Sequence, residues 1–182
     1  MRPNIFDIAT KELNQDAFIT WLLQFADDNY QSVDQHLNKC GKTFVTQLIQ
    51  KQNPNFNETI SKVEAGRQWE NIDVWAEIND KYLIIIEDKT HSNQHSNQLA
   101  RYKETAEKWC ENNNYENPIC IYLKTGNESQ TSLNNIQKQG FSIFSRIDFI
   151  SLLDQFKEAT NNIFVDFYER LTRIEKSNNE FE

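Results

Sequence analysis

The chain has 182 residues, 38% of them hydrophobic and 25% charged, enough to bury one core of ordinary domain size. No stretch approaches the roughly 20 apolar residues of a membrane span, and residues 1–8 show no basic region leading into an apolar run, so neither a span nor a secretory leader is expected. A net charge of −8 excludes broad, nonspecific attraction to phosphate backbones, but not a local site where a bound cation reverses the sign. Cys40, Cys110 and Cys120 share no metal-ligand spacing and read as buried, reduced thiols of a cytoplasmic protein.

In chain order, residues 10–28 read as a helix, because Phe18, Trp21, Leu22 and Phe25 recur at i, i+3, i+4, i+7. A second helix is expected over 32–51, with Val33, Leu37, Phe44, Val45 and Leu48 inward and Gly41 as a weak point. Residues 52–58 are loop by composition, and a short strand is expected near 59–65. The period then changes. Ile72, Val74, Ala76 and Ile78 alternate, Asn79-Asp80 is turn chemistry, and Tyr82–Ile86 is a continuous apolar run rich in branched residues. Residues 71–88 therefore read as a hairpin whose second strand lies near the centre of a sheet. A helix follows over 94–113, then a strand at 119–123, a turn at Gly126-Asn127 and a short strand at 141–144. Helices at 148–157 and 160–176 close the pattern, the last with Ile163, Phe164, Phe167, Leu171 and Ile174 inward. This order implies a single α/β domain over 1–176, with a mixed central β-sheet flanked by helices, and a flexible acidic tail at 177–182.

Two carboxylates stand out at the end of the buried strand. Glu87 and Lys89 alternate onto one face of it. Asp73 and Glu87 are both seven residues from position 80, so a hairpin turning there puts them side by side. Adjacent carboxylates repel unless a cation or a proton lies between them. Mg²⁺, which accepts a few carboxylates plus waters and phosphate oxygens, suits such a pair. Lys89 beside it suits phosphodiester hydrolysis, by orienting the attacking water or stabilising charge on phosphorus. Trp75 shares the face of Asp73 and is assigned only to packing.

Asp73 followed by Glu87-Asp88-Lys89 after a hydrophobic strand resembles the D…(D/E)-x-K core of the PD-(D/E)XK nuclease superfamily. Glu12 ahead of Phe18 and Trp21-Leu22-Leu23 resembles the N-terminal helix of a bacterial branch. Gln98-Leu99-Ala100-Arg101-Tyr102 resembles its Gln-x-x-x-Tyr helix, and Tyr122–Thr125 the strand after it. The similarity runs from about residue 10 to 175, and no Pro precedes Asp73, where Asn71-Ile72 stands. It implies a restriction-endonuclease-like core and an endonuclease using Mg²⁺ or Mn²⁺ on nucleic acid, DNA rather than RNA. Asp73 and Glu87 would be metal ligands, helped by the main-chain carbonyl of Asp88. Glu12 would be an accessory acid near the metal, with Glu64 and Glu70 as rivals for that place. Lys89 would act on the water, and Gln98 and Tyr102 would line the site; their i, i+4 spacing independently puts them on one helical face.

Arg101 and Lys103, with Lys108 and His95, form the only basic stretch and are candidates for phosphate contact. His91 and His95 have the spacing of a zinc clip but no third ligand, and a solvated loop is the preferred reading. Small size and acidic charge leave an alternative: a non-catalytic binding or regulatory module on a nuclease scaffold, inside a larger complex. A homodimer would also supply contact area.

Overall fold

A computed structural model describes residues 2–90 and 97–179. The short helix α1 (Ile5–Ile8) leads into α2 (Glu12–Gln24) and α3 (Gln35–Gln50). Three strands follow, β1 (Val63–Trp69), β2 (Ile72–Ile78) and β3 (Tyr82–Lys89), then α4 (Gln98–Asn113) and β4 (Ile119–Lys124). The order ends with α5 (Gln130–Lys138), β5 (Ser142–Ser145), α6 (Arg146–Asp154) and α7 (Asn162–Asn179). The strands form one five-stranded mixed sheet in the order β1-β2-β3-β4-β5. β1, β2 and β3 pair antiparallel, while β3, β4 and β5 pair parallel. The fold is therefore the α/β arrangement of a restriction-endonuclease-like core.

β3 occupies the middle of the sheet, and its apolar run explains why. Every residue from Tyr82 to Asp88 is buried, so both faces need cover. One face carries Val74, Ala76, Ile78, Ile84 and Ile86 against α2, α3, α6 and α7. The other carries Leu83, Ile85, Cys120 and Tyr122 against Leu99, Tyr102 and Ala106 of α4 and Ile136 of α5. Asn79 and Asp80 both adopt positive φ, 54° and 52°, which lets the β2–β3 hairpin turn tightly. Gly41 has a packing reason: a Cβ there would stand 2.6 Å from the Leu22 carbonyl oxygen, so only glycine lets α2 and α3 come this close.

Several sequence expectations shift. β1 starts at Val63 and extends to Trp69, later than the strand expected near 59–65. The helix α5 was not legible, since its nine residues contain only Leu133 and Ile136 as large apolar side chains. It bridges β4 and β5 and allows them to run parallel. Val33 is 68% exposed and Ile163 is 44% exposed, so neither belongs to the core stripe assigned to it. Val33 precedes α3, whose N-cap is Asp34. Helix α7 continues to Asn179, beyond the expected end at 176. The expected start of α4 at 94, and His91 and His95, lie outside the described residues.

Candidate active site

Val74 pairs with Ile86 and Ala76 with Ile84, and this register sets Asp73 beside Glu87 at the next step. The sequence expectation for the hairpin is met. Lys89 closes the cluster, with its Nζ 2.8 Å from Glu87 Oε1 and 3.9 Å from Asp73 Oδ2. Asp73 Oδ2 also accepts a hydrogen bond from the Asp88 main-chain N–H at 3.0 Å. Glu87 is 1% exposed, yet Oε2 has no hydrogen-bond partner and Oε1 meets only the Lys89 charge. Burial, and then the nearby Asp73, push its carboxyl up to about 7, against the opposing pull of Lys89. Lys89 itself is disfavoured as a cation by burial, but Glu87 and then Asp73 outweigh this and hold it above the usual lysine value.

Asp88 points to the opposite face of β3 and contributes no side chain to this cluster. Gln15 donates from Nε2 to Asp88 Oδ1, and its Oε1 accepts from Thr125 Oγ1 at 2.8 Å. Asp16 lies next to Asp88, and both are 1% exposed. Burial raises both carboxyls; Asp16 raises Asp88 further, whereas the hydrogen bond with Asp88 pulls Asp16 partly back. A shared proton would satisfy Asp16 Oδ1 and Asp88 Oδ2, which have no other partner.

The remaining sequence-assigned residues fall around the cluster. Glu12, in the first turn of α2, accepts from the Thr90 main-chain N–H at 2.9 Å, immediately after Lys89. Its rivals stand elsewhere: Glu64 is opposite Glu77 on β1, and Glu70 is at the tip of the β1–β2 hairpin. Gln98 donates to the Tyr102 hydroxyl across one turn of α4. Tyr102 is 6% exposed, and burial raises its pKa, with Glu87 and Asp73 close enough to add to the effect. Arg101 is exposed at the same end of α4, whereas Lys103 faces Gly140 and is 3.8 Å from Glu107.

Sequence reasoning did not single out the residues on β4 that abut the cluster. The parallel register sets Tyr122 beside Glu87 and Lys124 beside Lys89. Lys124 Nζ lies 3.2 Å from Glu128 Oε2, with both side chains 4% exposed, and the Tyr122 hydroxyl donates to the same oxygen at 3.1 Å. A lysine ending an apolar strand was the available signal, the same one that exposed Lys89.

A divalent cation fits the donor set. Two carboxylates lie side by side, and one keeps a buried oxygen with no donor. Among the described residues, no three His, Cys, Asp or Glu side chains are grouped to hold an ion by themselves. A hard cation such as Mg²⁺ needs only one or two carboxylates, taking water, carbonyl and phosphate oxygens for the rest. No helix among the described residues is long and apolar enough to cross a membrane.

No curated protein and no solved structure matches the chain. A sequence profile of the PD-(D/E)XK nuclease superfamily matches residues 3–180, nearly the whole length, and the Asp73, Glu87-x-Lys89 cluster lies within it. The chain belongs to the PD-(D/E)XK nuclease superfamily.

Proposed function

We propose that this chain is a divalent-metal-dependent endonuclease that hydrolyses phosphodiester bonds of nucleic acid, DNA in preference to RNA, in the cytoplasm. The observation carrying this reading is the juxtaposition of Asp73 and the buried, under-partnered Glu87 with Lys89 2.8 Å away. Asp73, Glu87 and the Asp88 main-chain carbonyl would hold Mg²⁺ or Mn²⁺, with Glu12 as an accessory acid. Such a cation supplies Lewis acidity toward the phosphate and lowers the pKa of a water.

The chain's own residues do the rest. Without a cation, Lys89 neutralises Glu87. With the Glu87 charge engaged, the Lys89 ammonium turns to the attacking water and to the phosphoryl oxygens, where negative charge grows. Gln98 and Tyr102 line the α4 side and offer an amide and a hydroxyl to the bound strand. Arg101, exposed at the same end of α4, would meet a flanking phosphate; Lys103 is a weaker candidate because Glu107 competes for it. Purified protein should cut single- or double-stranded DNA only with Mg²⁺ or Mn²⁺, and Asp73→Ala should abolish cutting. Failure on every DNA and RNA substrate tried would count against the reading.

A second reading, a non-catalytic binding or regulatory module, is favoured by the net charge of −8. Calorimetric titration of Mn²⁺ separates the two. Heat that vanishes in Asp73→Ala supports the enzyme, and no heat in the wild type shifts the weight to the module. A strict monomer without partners would weigh against that module and against a homodimer.

A further inference from the structure

The sheet face that carries Asp73 carries a second feature, which begins at Trp75, two residues along β2. Trp69, Trp75 and Trp109, three of the four tryptophans, line a narrow cleft with Leu83 and Glu77, about 60 Å³ in volume. Trp69 and Trp109 meet nearly at right angles, 76° between planes and 6.1 Å between centroids, so they form a corner. Trp75 lies against Gly66, where a Cβ would come within 2.7 Å of its ring. None of the three is fully buried.

Charge identifies what the corner suits. Glu64 and Glu77 are directly opposite across β1 and β2, an unfavourable pairing of like charges. Among the described residues, neither has a cation within ion-pair distance; Glu77 accepts only from the Tyr115 hydroxyl, at 2.8 Å. Lys62 feels the charge of both glutamates but is itself bound by Asp80 at 2.7 Å. The cleft thus combines aromatic rings, which attract cations through their quadrupoles, with the Glu77 carboxylate in its wall and Glu64 opposite Glu77, neither of them in an ion pair among the described residues. A nucleotide would bring phosphates to the same carboxylates and be repelled.

We propose that the Trp69–Trp75–Trp109 corner, with Glu64 and Glu77, is a docking site for a lysine or arginine side chain of a basic partner protein. This goes beyond the nuclease reading and does not depend on it.

Three of four tryptophans report on the cleft, so intrinsic fluorescence is the readout. The full chain is titrated with a hexa-arginine peptide, and in parallel with a thymidine oligonucleotide. The peptide should shift the emission, and the Glu64→Gln/Glu77→Gln double variant should weaken its binding about tenfold or more. Trp109→Leu should weaken it similarly, whereas Glu158→Gln, an exposed charge elsewhere, should leave it unchanged. Circular dichroism checks that each variant is folded, and the carboxamide pair keeps the test informative if Trp109→Leu is not. Peptide binding equally strong in the double variant would reduce it to nonspecific attraction and overturn the proposal. So would no peptide binding, or an emission shift produced by the oligonucleotide instead. Nuclease activity, measured separately, has no bearing on the outcome.

Discussion

The last residues of β3 present carboxylates to both sides of the sheet, with opposite results. On the α4 side, Glu87 is buried but its neighbours are charged, and one oxygen lacks a donor. On the α2 side, Asp88 is equally buried and also keeps one oxygen without a donor, but its other oxygen is held by Gln15, itself held by Thr125, with the Asp16 carboxyl beside it. Burial alone therefore does not mark a reactive carboxylate. The difference lies in the neighbours: a lysine beside Glu87, and a neutral amide and a second carboxyl that can share a proton beside Asp88. The first arrangement suits ligand exchange, and the second suits a fixed clamp between α2 and the sheet.

The sharpest way to break the comparison is to neutralise each side. Glu87→Gln and Asp73→Ala should each lower metal-dependent cleavage by about 10³-fold or more, without lowering the melting temperature of the metal-free protein. Retained cleavage would remove both residues from the site. Lys124→Met tests the neighbouring pair differently. It leaves Glu128, 4% exposed, with the Tyr122 hydroxyl but without its countercharge, and should cost about 3 kcal/mol in urea unfolding. Adding Glu128→Gln should restore much of that loss; a cost near zero for Lys124→Met would show that solvent screens the pair.

Acidity provides the next test. Glu87, Asp16 and Asp88 all have folded-state pKa values above their ordinary ones. A raised carboxyl contributes stability that is complete below its unfolded pKa and lost as pH rises through the folded value, about 7 for Glu87. The metal-free protein should therefore be less stable at pH 8 than at pH 5, by on the order of 2 kcal/mol. Mg²⁺ or Mn²⁺ should recover part of this by binding the folded state. A melting temperature that does not fall between these pH values would deny the shifts. The smallest expected effect is Asp88→Asn. It keeps an acceptor for Gln15 and should change stability by less than about 1 kcal/mol while sparing cleavage. A large loss of cleavage would give the Asp88 side chain a catalytic part.

The hairpin was legible because three signals agreed on it: alternation in Ile72–Ile78, turn chemistry at Asn79-Asp80, and a branched run from Tyr82. That agreement also fixed the meeting of Asp73 and Glu87. The clamp was not legible, because Gln15 and Asp16 sit among polar residues of α2, and their burial depends on a strand more than 70 positions away. Lys124 was visible as a residue but not as a neighbour of Lys89, since parallel pairing through a helix leaves no local trace. Helix α5 was lost for a related reason: it buries only Ile136 fully, so its apolar stripe is too thin to read. Val33 and Ile163 show the converse error, in which a helical period was extended past the helix's own packing face.

The tight β2–β3 turn has a consequence for how the molecule assembles. Asp73 and Glu87 are close in sequence and meet through a local hairpin, whereas α2, β4 and Glu128 arrive through much longer loops. The repelling carboxylates are therefore brought together early, before Tyr122, Lys124 and the α2 clamp surround them. This ordering predicts that the turn belongs to the folding nucleus. Destabilising changes at Asn79 should then slow refolding in stopped-flow measurements, while changes at Gln15 should chiefly hasten unfolding.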